Sequence, residues 1–224
     1  MNKKKSKEIK ALKIQIKRNK KFNQKKKNMS GLPKLVFENN KDEIVSLLQQ
    51  GADVNEQDSN GHTALYCACR YNRTEIVEIL LHNNNINVNL QSNSGMSPFS
   101  SACWNNSYEC ALLMLQDPRV DINLANNIGW SPLMRAGYTR NTELVQLLIS
   151  FGRKIDIHKK TTKDYTDKII MSLKMSVIKS GSTALDIAKQ RNRTEVVQLL
   201  EQYINNPKET LKLWTNQLNP KGKK

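Results

Sequence analysis

The residues able to do chemistry are few and scattered. The chain of 224 residues holds three histidines, His62, His82 and His158, and four cysteines, Cys67, Cys69, Cys103 and Cys110. No Ser/His/Asp or Cys/His set can be assembled from their pattern, no Walker-type Gly loop occurs, and no paired carboxylates stand out as an acid/base couple. Cys67 and Cys69 lie two apart in a helix-periodic stretch, so they point to different faces. Cys69 and Cys103 occupy equivalent places in neighbouring segments, where small apolar residues commonly sit, and a free Cys behaves as one. They read as core thiols rather than metal ligands. The expectation is a non-catalytic protein with neither metal nor cofactor.

Charge narrows the reading further. The formal net charge is +16, but it is unevenly spread. Residues 1–28 hold 13 Lys and Arg against one Glu, residues 159–180 six Lys against two Asp, and residues 207–224 five Lys against one Glu. What remains, 29–158 and 181–206, holds 12 basic and 16 acidic residues. The basic character therefore belongs to the tails and one insertion, and the folded body is mildly acidic. No run reaches the roughly 18 apolar residues that a membrane span needs. The N-terminal "MNKKKSKEIK" has no apolar h-region, so an intracellular, cytoplasmic protein with reduced thiols is expected. "KKKSK", "KRNKK" and "QKKK" would suit a nuclear address or weak phosphate contact. Residues 1–28 read as disordered, because charge dominates.

The elements that position these residues repeat. A Gly followed by x-[Thr/Ser]-[Ala/Pro]-[Leu/Phe] recurs as "GHTAL" at Gly61, "GMSPF" at Gly95, "GWSPL" at Gly129 and "GSTAL" at Gly181. The spacings are 34, 34 and 52. Seven residues after each Gly comes Ala68, Ala102, Ala136 or Ala188, and fourteen after it Glu75, Glu109, Glu143 or Glu195. The segments that follow, "IVEILL", "CALLML", "LVQLLI" and "VVQLLE", have helical spacing. Each unit thus predicts a short helix, a turn and a second helix. Thr63, Ser97, Ser131 and Thr183 stand as N-caps, with Pro98 and Pro132 at the favoured first position. Asn72, Asn106 and Asn192 suit a left-handed helix end. The fourth unit has Arg140 there and Asn141 next, so its turn is expected one residue later. The stretches "GADVN", "NINVN", "RVDIN" and "KIDIH" alternate as short extended hairpins between units. A degenerate first copy, "DEIVSLLQQGADVN", starts near Met29.

In these motifs the chain resembles the ankyrin-repeat family, with its pattern Gly-x-Thr-Pro-Leu-His-x-Ala, Ile-Val-x-Leu-Leu and Gly-Ala-Asp-Val-Asn. The likeness implies an all-α solenoid of about five helix-turn-helix units joined by short β-hairpin connections. The array would run over 29–206, with units near 29–60, 61–94, 95–128, 129–158 and 181–206. One helix pair cannot bury its apolar face alone, whereas stacked neighbours share a continuous core. The family's His is replaced by Tyr66, Ser100, Met134 and Asp186, so its hydrogen bonding is absent. The insertion 159–180 departs from the period. Ile170, Leu173 and Val177, with Met171, Met175 and Ile178, suggest a short amphipathic helix there. In 207–224, Leu211, Trp214 and Leu218 suggest a further helix capping the last unit, followed by a basic tail.

The resemblance also implies a partner surface: another protein held in the concave groove by hairpin tips and first-helix positions. Those carried over are His62, Met96, Ile128 and Trp130 at the tips, and Arg70, Tyr71, Trp104, Asn105, Tyr138 and Thr139 on the first helices. Trp, Tyr and Arg dominate binding energy at interfaces. The bland alternative is that Trp104 and Tyr138 pack within the groove. The expectation is a monomeric adaptor that binds no membrane, whose acidic body meets a basic partner. The rival expectation is a nuclear or nucleic-acid-associated protein working through its basic tail. A salt titration of nucleic-acid binding separates the two. Tail-driven binding should fall steeply with salt and vanish when residues 1–28 are removed; binding that survives the truncation would place the contact on the array.

Overall fold

A computed structural model describes residues 31–166 and 177–218. Eleven helices lie among them. The first unit comprises α1 (Gly31–Glu38) and α2 (Lys41–Gln49); the second α3 (Ala64–Arg70) and α4 (Thr74–Leu81); the third α5 (Pro98–Asn105) and α6 (Tyr108–Gln116). The fourth comprises α7 (Pro132–Tyr138) and α8 (Thr142–Ser150), the fifth α9 (Ala184–Gln190) and α10 (Thr194–Asn205), and α11 (Pro207–Leu218) closes the chain. Every first helix after α1 starts as the sequence predicts. The hydroxyls of Thr63, Ser97, Ser131 and Thr183 accept from the N–H groups of Tyr66, Ser100, Met134 and Asp186, filling the free donors of a helix start. In the fifth unit Asp186, at the position of the family's His, accepts in return from the Thr183 N–H at 2.9 Å and hydroxyl at 2.7 Å. A carboxylate there restores a local bond that His would have made.

The turn between the paired helices always takes one left-handed residue. Asn39, Asn72, Asn106 and Asn192 have φ of 60°, 53°, 61° and 52°. The expected one-residue shift in the fourth unit does not occur: Arg140 itself has φ 67°, and Asn141 instead caps α8 by accepting from the Leu144 N–H. Packing of α7 on α8 holds the turn length and imposes the conformation on a residue that dislikes it. The connections between units also differ from expectation. Among the described residues they contain no strand, only hairpin-shaped turns each closed by two backbone bonds, such as Ser92 N–H to the Met96 carbonyl at 3.1 Å and Gly95 N–H to the Ser92 carbonyl at 2.7 Å. Neighbouring turns touch through isolated contacts, Asn93 N–H to Asn60 and Asn127 N–H to Ser94, so no ladder builds up.

First helices stack in one row, α1 on α3 on α5 on α7 on α9, and second helices in another from α4 to α10. The shared core runs through both rows and includes Val36, Leu65, Leu80, Phe99, Met114, Leu133, Leu148, Ile187 and Leu200. Between units a side-chain amide sets the register. The Asn55 amide donates to the Asn85 carbonyl and its oxygen accepts from the Asn87 N–H. Asn89 does the same with Arg119 and Asp121, and Asn123 with Lys154 and Asp156. The series stops at His158, where the insertion begins.

The insertion leaves the stack intact. Its base is pinned by an antiparallel bridge between Tyr165 and Ile178, and Thr162 N–H reaches the Ile128 carbonyl at 3.0 Å. Ile178 is fully buried and extended at this bridge, not helical as expected; the rest of the helix expected there lies largely in 167–176, outside the described residues. The segment 1–28 also lies outside them. Helix α11 packs on α8 and α10 and buries Trp214, with Leu211 half-buried, as a cap on the last unit. No described helix is long and apolar enough to cross a membrane.

The marker glycines carry two demands. Gly61, Gly95 and Gly129 have φ of 73°, 75° and 80°, and a Cβ on each would come within 2.7, 2.6 and 2.5 Å of a backbone nitrogen in the next turn. Gly181 has φ 84° but open space around it, because no turn follows. Gly181→Ala should therefore cost about 1–2 kcal/mol for its conformation alone. Gly95→Ala should cost clearly more in denaturant unfolding, since the next turn must move. Equal losses would show that the turn-to-turn contact is dispensable.

Candidate functional site

The first helices and the turn tips together line a concavity of about 520 Å³ on the face of the array. Repetition explains its construction. The residue after each marker Gly and the residue nine after it recur on the same side: His62 with Arg70, Met96 with Trp104, and Trp130 with Tyr138. Stacking at a constant register brings these pairs into one row. His62, Arg70, Met96, Trp104, Asn105 and Ile128 all line the concavity, so six of the ten residues carried over from the resemblance meet there. Asn126 braces the third tip, its side-chain oxygen accepting from the Ile128 and Trp130 N–H groups.

The other four fall elsewhere. Trp130, expected as an exposed tip contact, is only 1% exposed. It is the hub of an aromatic cluster, with ring centroids 6.2 Å from Trp104, 5.5 Å from Tyr138 and 4.8 Å from Tyr165. A tip position becomes interior here because the insertion folds Tyr165 over it. Tyr138 stacks on Trp104 at 5.2 Å with a 19° interplanar angle, so the packing alternative holds for this ring. Tyr71 meets Phe37 edge-on at 5.3 Å. The Thr139 hydroxyl donates to carbonyls of its own helix, Arg135 and Ala136. Trp104 remains half-buried, with one face on Tyr138 and its indole lining the concavity.

Tyr66, Tyr165 and Arg135 are among the lining residues that escaped the sequence reading. Tyr66 stacks flat on His62 at 4.3 Å, and its hydroxyl reaches the Met96 sulfur at 3.5 Å. Tyr165 arrives from the insertion, and nothing in the local sequence announces it. Arg135 had a legible signal: it occupies the register that holds Cys67, Ser101 and Ile187 in the other units. A guanidinium where its counterparts are small or apolar is an anomaly within the chain's own period. Arg135 is 5% exposed, lies 4.9 Å over the Trp104 ring and 5.4 Å over Trp130, and its Nε has no hydrogen-bond partner. Burial pushes the group down to about 10, opposed by Tyr165, Tyr66 and Cys103. It stays protonated at neutral pH, and no carboxylate is among the groups that act on it.

The electrostatics of the concavity therefore differ from those of the body. Among the described residues its lining includes Arg70, Arg135 and His62 but no Asp or Glu. The Asp58 carboxylate lies behind His62, 3.3 Å from Nδ1, and accepts from the Asn60 and His62 N–H groups.

No three His, Cys, Asp or Glu side chains among the described residues gather in a way that could hold a metal. All four cysteines are buried and free. Burial pushes Cys67 up to about 12 and Cys110 up to about 11, and raises Cys69 and Cys103 as well. Such thiols are poor nucleophiles, since the thiolate is the reactive form. A model of the family described as ankyrin repeats (3 copies) matches residues 34–126. That span runs from within α1 to the third tip.

The raised thiols carry a pH dependence with a definite sign. A thiol whose folded pKa lies above its unfolded value of about 8.5 contributes stability in full below that pH and loses it as pH rises toward the folded value. Folding free energy should thus decline above about pH 8.5, by at most ~1.4 kcal/mol per thiol per pH unit. A thiol reagent at pH 8 should modify the four cysteines only after denaturation. Rapid modification of the native protein would contradict the buried placement.

Proposed function

This chain belongs to the ankyrin-repeat family, and we propose that it is a non-catalytic adaptor holding a partner protein in the concavity of its second, third and fourth units. Proteins built from such repeats are generally protein–protein interaction modules. The observation that carries the reading here is Trp104: a half-buried indole, braced from behind by Tyr138 and Trp130 and open to the concavity. A rigid aromatic anchor loses little conformational freedom on binding, and Trp, Tyr and Arg are the residues that carry most interface energy. The array supplies the rigidity, since each of the first three units is registered on the next by a backbone-directed amide. Asn105, Asn127 and Ser94 supply a polar rim, the usual surround of an apolar centre.

Two substitutions separate anchoring from folding. Trp104→Ala should weaken partner capture by the full chain about thirtyfold, corresponding to ~2 kcal/mol or more at a hot spot, with a smaller loss of stability than Trp130→Ala. Trp130→Ala should instead destabilise the array by about 3–5 kcal/mol, as large-to-small changes in cores do. Capture profiles unchanged by Trp104→Ala would refute the groove as the partner site.

A further inference from the structure

The Arg135 guanidinium is an enclosed cation that the fold does not need. Its counterparts in the same register, Cys67, Ser101 and Ile187, show that the stack closes without a charge there. Desolvating a cation is costly unless it is paired and hydrogen-bonded. The two indoles it lies against, at 4.9 and 5.4 Å, offset part of that cost through their ring quadrupoles. Among the described residues its Nε has no partner, no salt bridge reaches it, and no acid lines the same concavity. Arg70, the last residue of α3 in the same row of first helices, adds a second positive charge to the lining. A concavity with an aromatic wall, two guanidinium groups and no carboxylate among its described lining is complementary to an anion flanked by apolar surface, and it disfavours basic segments.

We propose that the groove recognises an acidic peptide segment of the partner: a Glu or Asp carboxylate pairs with Arg135, and an adjacent apolar side chain rests on Trp104 and Met96. The carboxylate supplies the hydrogen-bond acceptors that Arg135 lacks in the free protein. The planar fork of a guanidinium suits two-point pairing with a carboxylate. Stacking against Trp104 and Trp130 holds that fork in place beforehand. Arg135 is thus a binding residue whose presence costs stability and whose return comes on association. This inference rests on the groove reading above and names the chemistry of its occupant.

The test uses the full chain and a random-peptide display library, followed by anisotropy measurements on the enriched peptides. The expected result is enrichment of peptides that share an acidic residue beside an apolar one. Their affinity should fall with added salt and drop about thirtyfold or more when that acid is exchanged for its amide. Arg135→Met should lose the same affinity while its melting temperature stays level or rises, a combination that a merely structural arginine would not produce. The acid-to-amide exchange in the peptide reads out the pairing even if Arg135→Met folds poorly. Enriched peptides that require Trp104 but share no acid, or that tolerate the amide exchange, would overturn the acidic pairing and leave the groove standing. Absence of enrichment, or peptides indifferent to Trp104→Ala, would overturn the groove reading and this inference with it.

Discussion

A side-chain amide gripping the backbone of the next unit is the contact on which the rest of this molecule depends. Asn55, Asn89 and Asn123 each use both ends of the amide, donating to one carbonyl and accepting from one N–H two residues further on. A helix pair of this length cannot bury its apolar stripe by itself, so the units must associate, and hydrophobic contact alone is tolerant of sliding. A two-point hydrogen bond is not. It fixes the phase of the first four units against one another, and with it the alignment of the recurring positions that line the groove.

Once the phase is fixed, a site can be written into the positions where the copies differ. The structural positions repeat because cap, turn and core demand the same chemistry each time. The positions beside the marker Gly and nine after it are released from that demand. There the chain places His62 and Arg70, then Met96 and Trp104, then Trp130 and Tyr138. The aromatic residues thicken toward the fourth unit, where the insertion adds Tyr165 to the cluster. The insertion thus affects the site although its base lies outside the row of first helices: it converts Trp130 from a surface residue into the wall behind Trp104.

Caps and turns were legible because they are local. A hydroxyl three residues before a free N–H acts within one helical turn, and an Asn relaxes into a left-handed conformation wherever it stands. The reading failed where two demands met. At Arg140 the local preference of the side chain argued for moving the turn, but the packing of α7 on α8 fixes its length, and the larger contact area prevails. The connections looked like short hairpins because alternation is also local. Whether strands form depends on bonds to the neighbouring turn, and these come singly because adjacent turns meet only at their tips.

What the sequence by itself determined is the unit, the number of units and their order, since each signal lies within about one period of its effect. It also contained the sharpest clue to the site, an arginine in a register of small or apolar residues, visible without coordinates by aligning the chain with itself. Only the tertiary structure decided which aromatic faces outward. Trp104 and Trp130 are the same residue type, each on a groove-lining position, and their difference is created by Tyr165, far along the chain. Exposure is set by whichever segment arrives on top, and the local sequence does not encode that arrival.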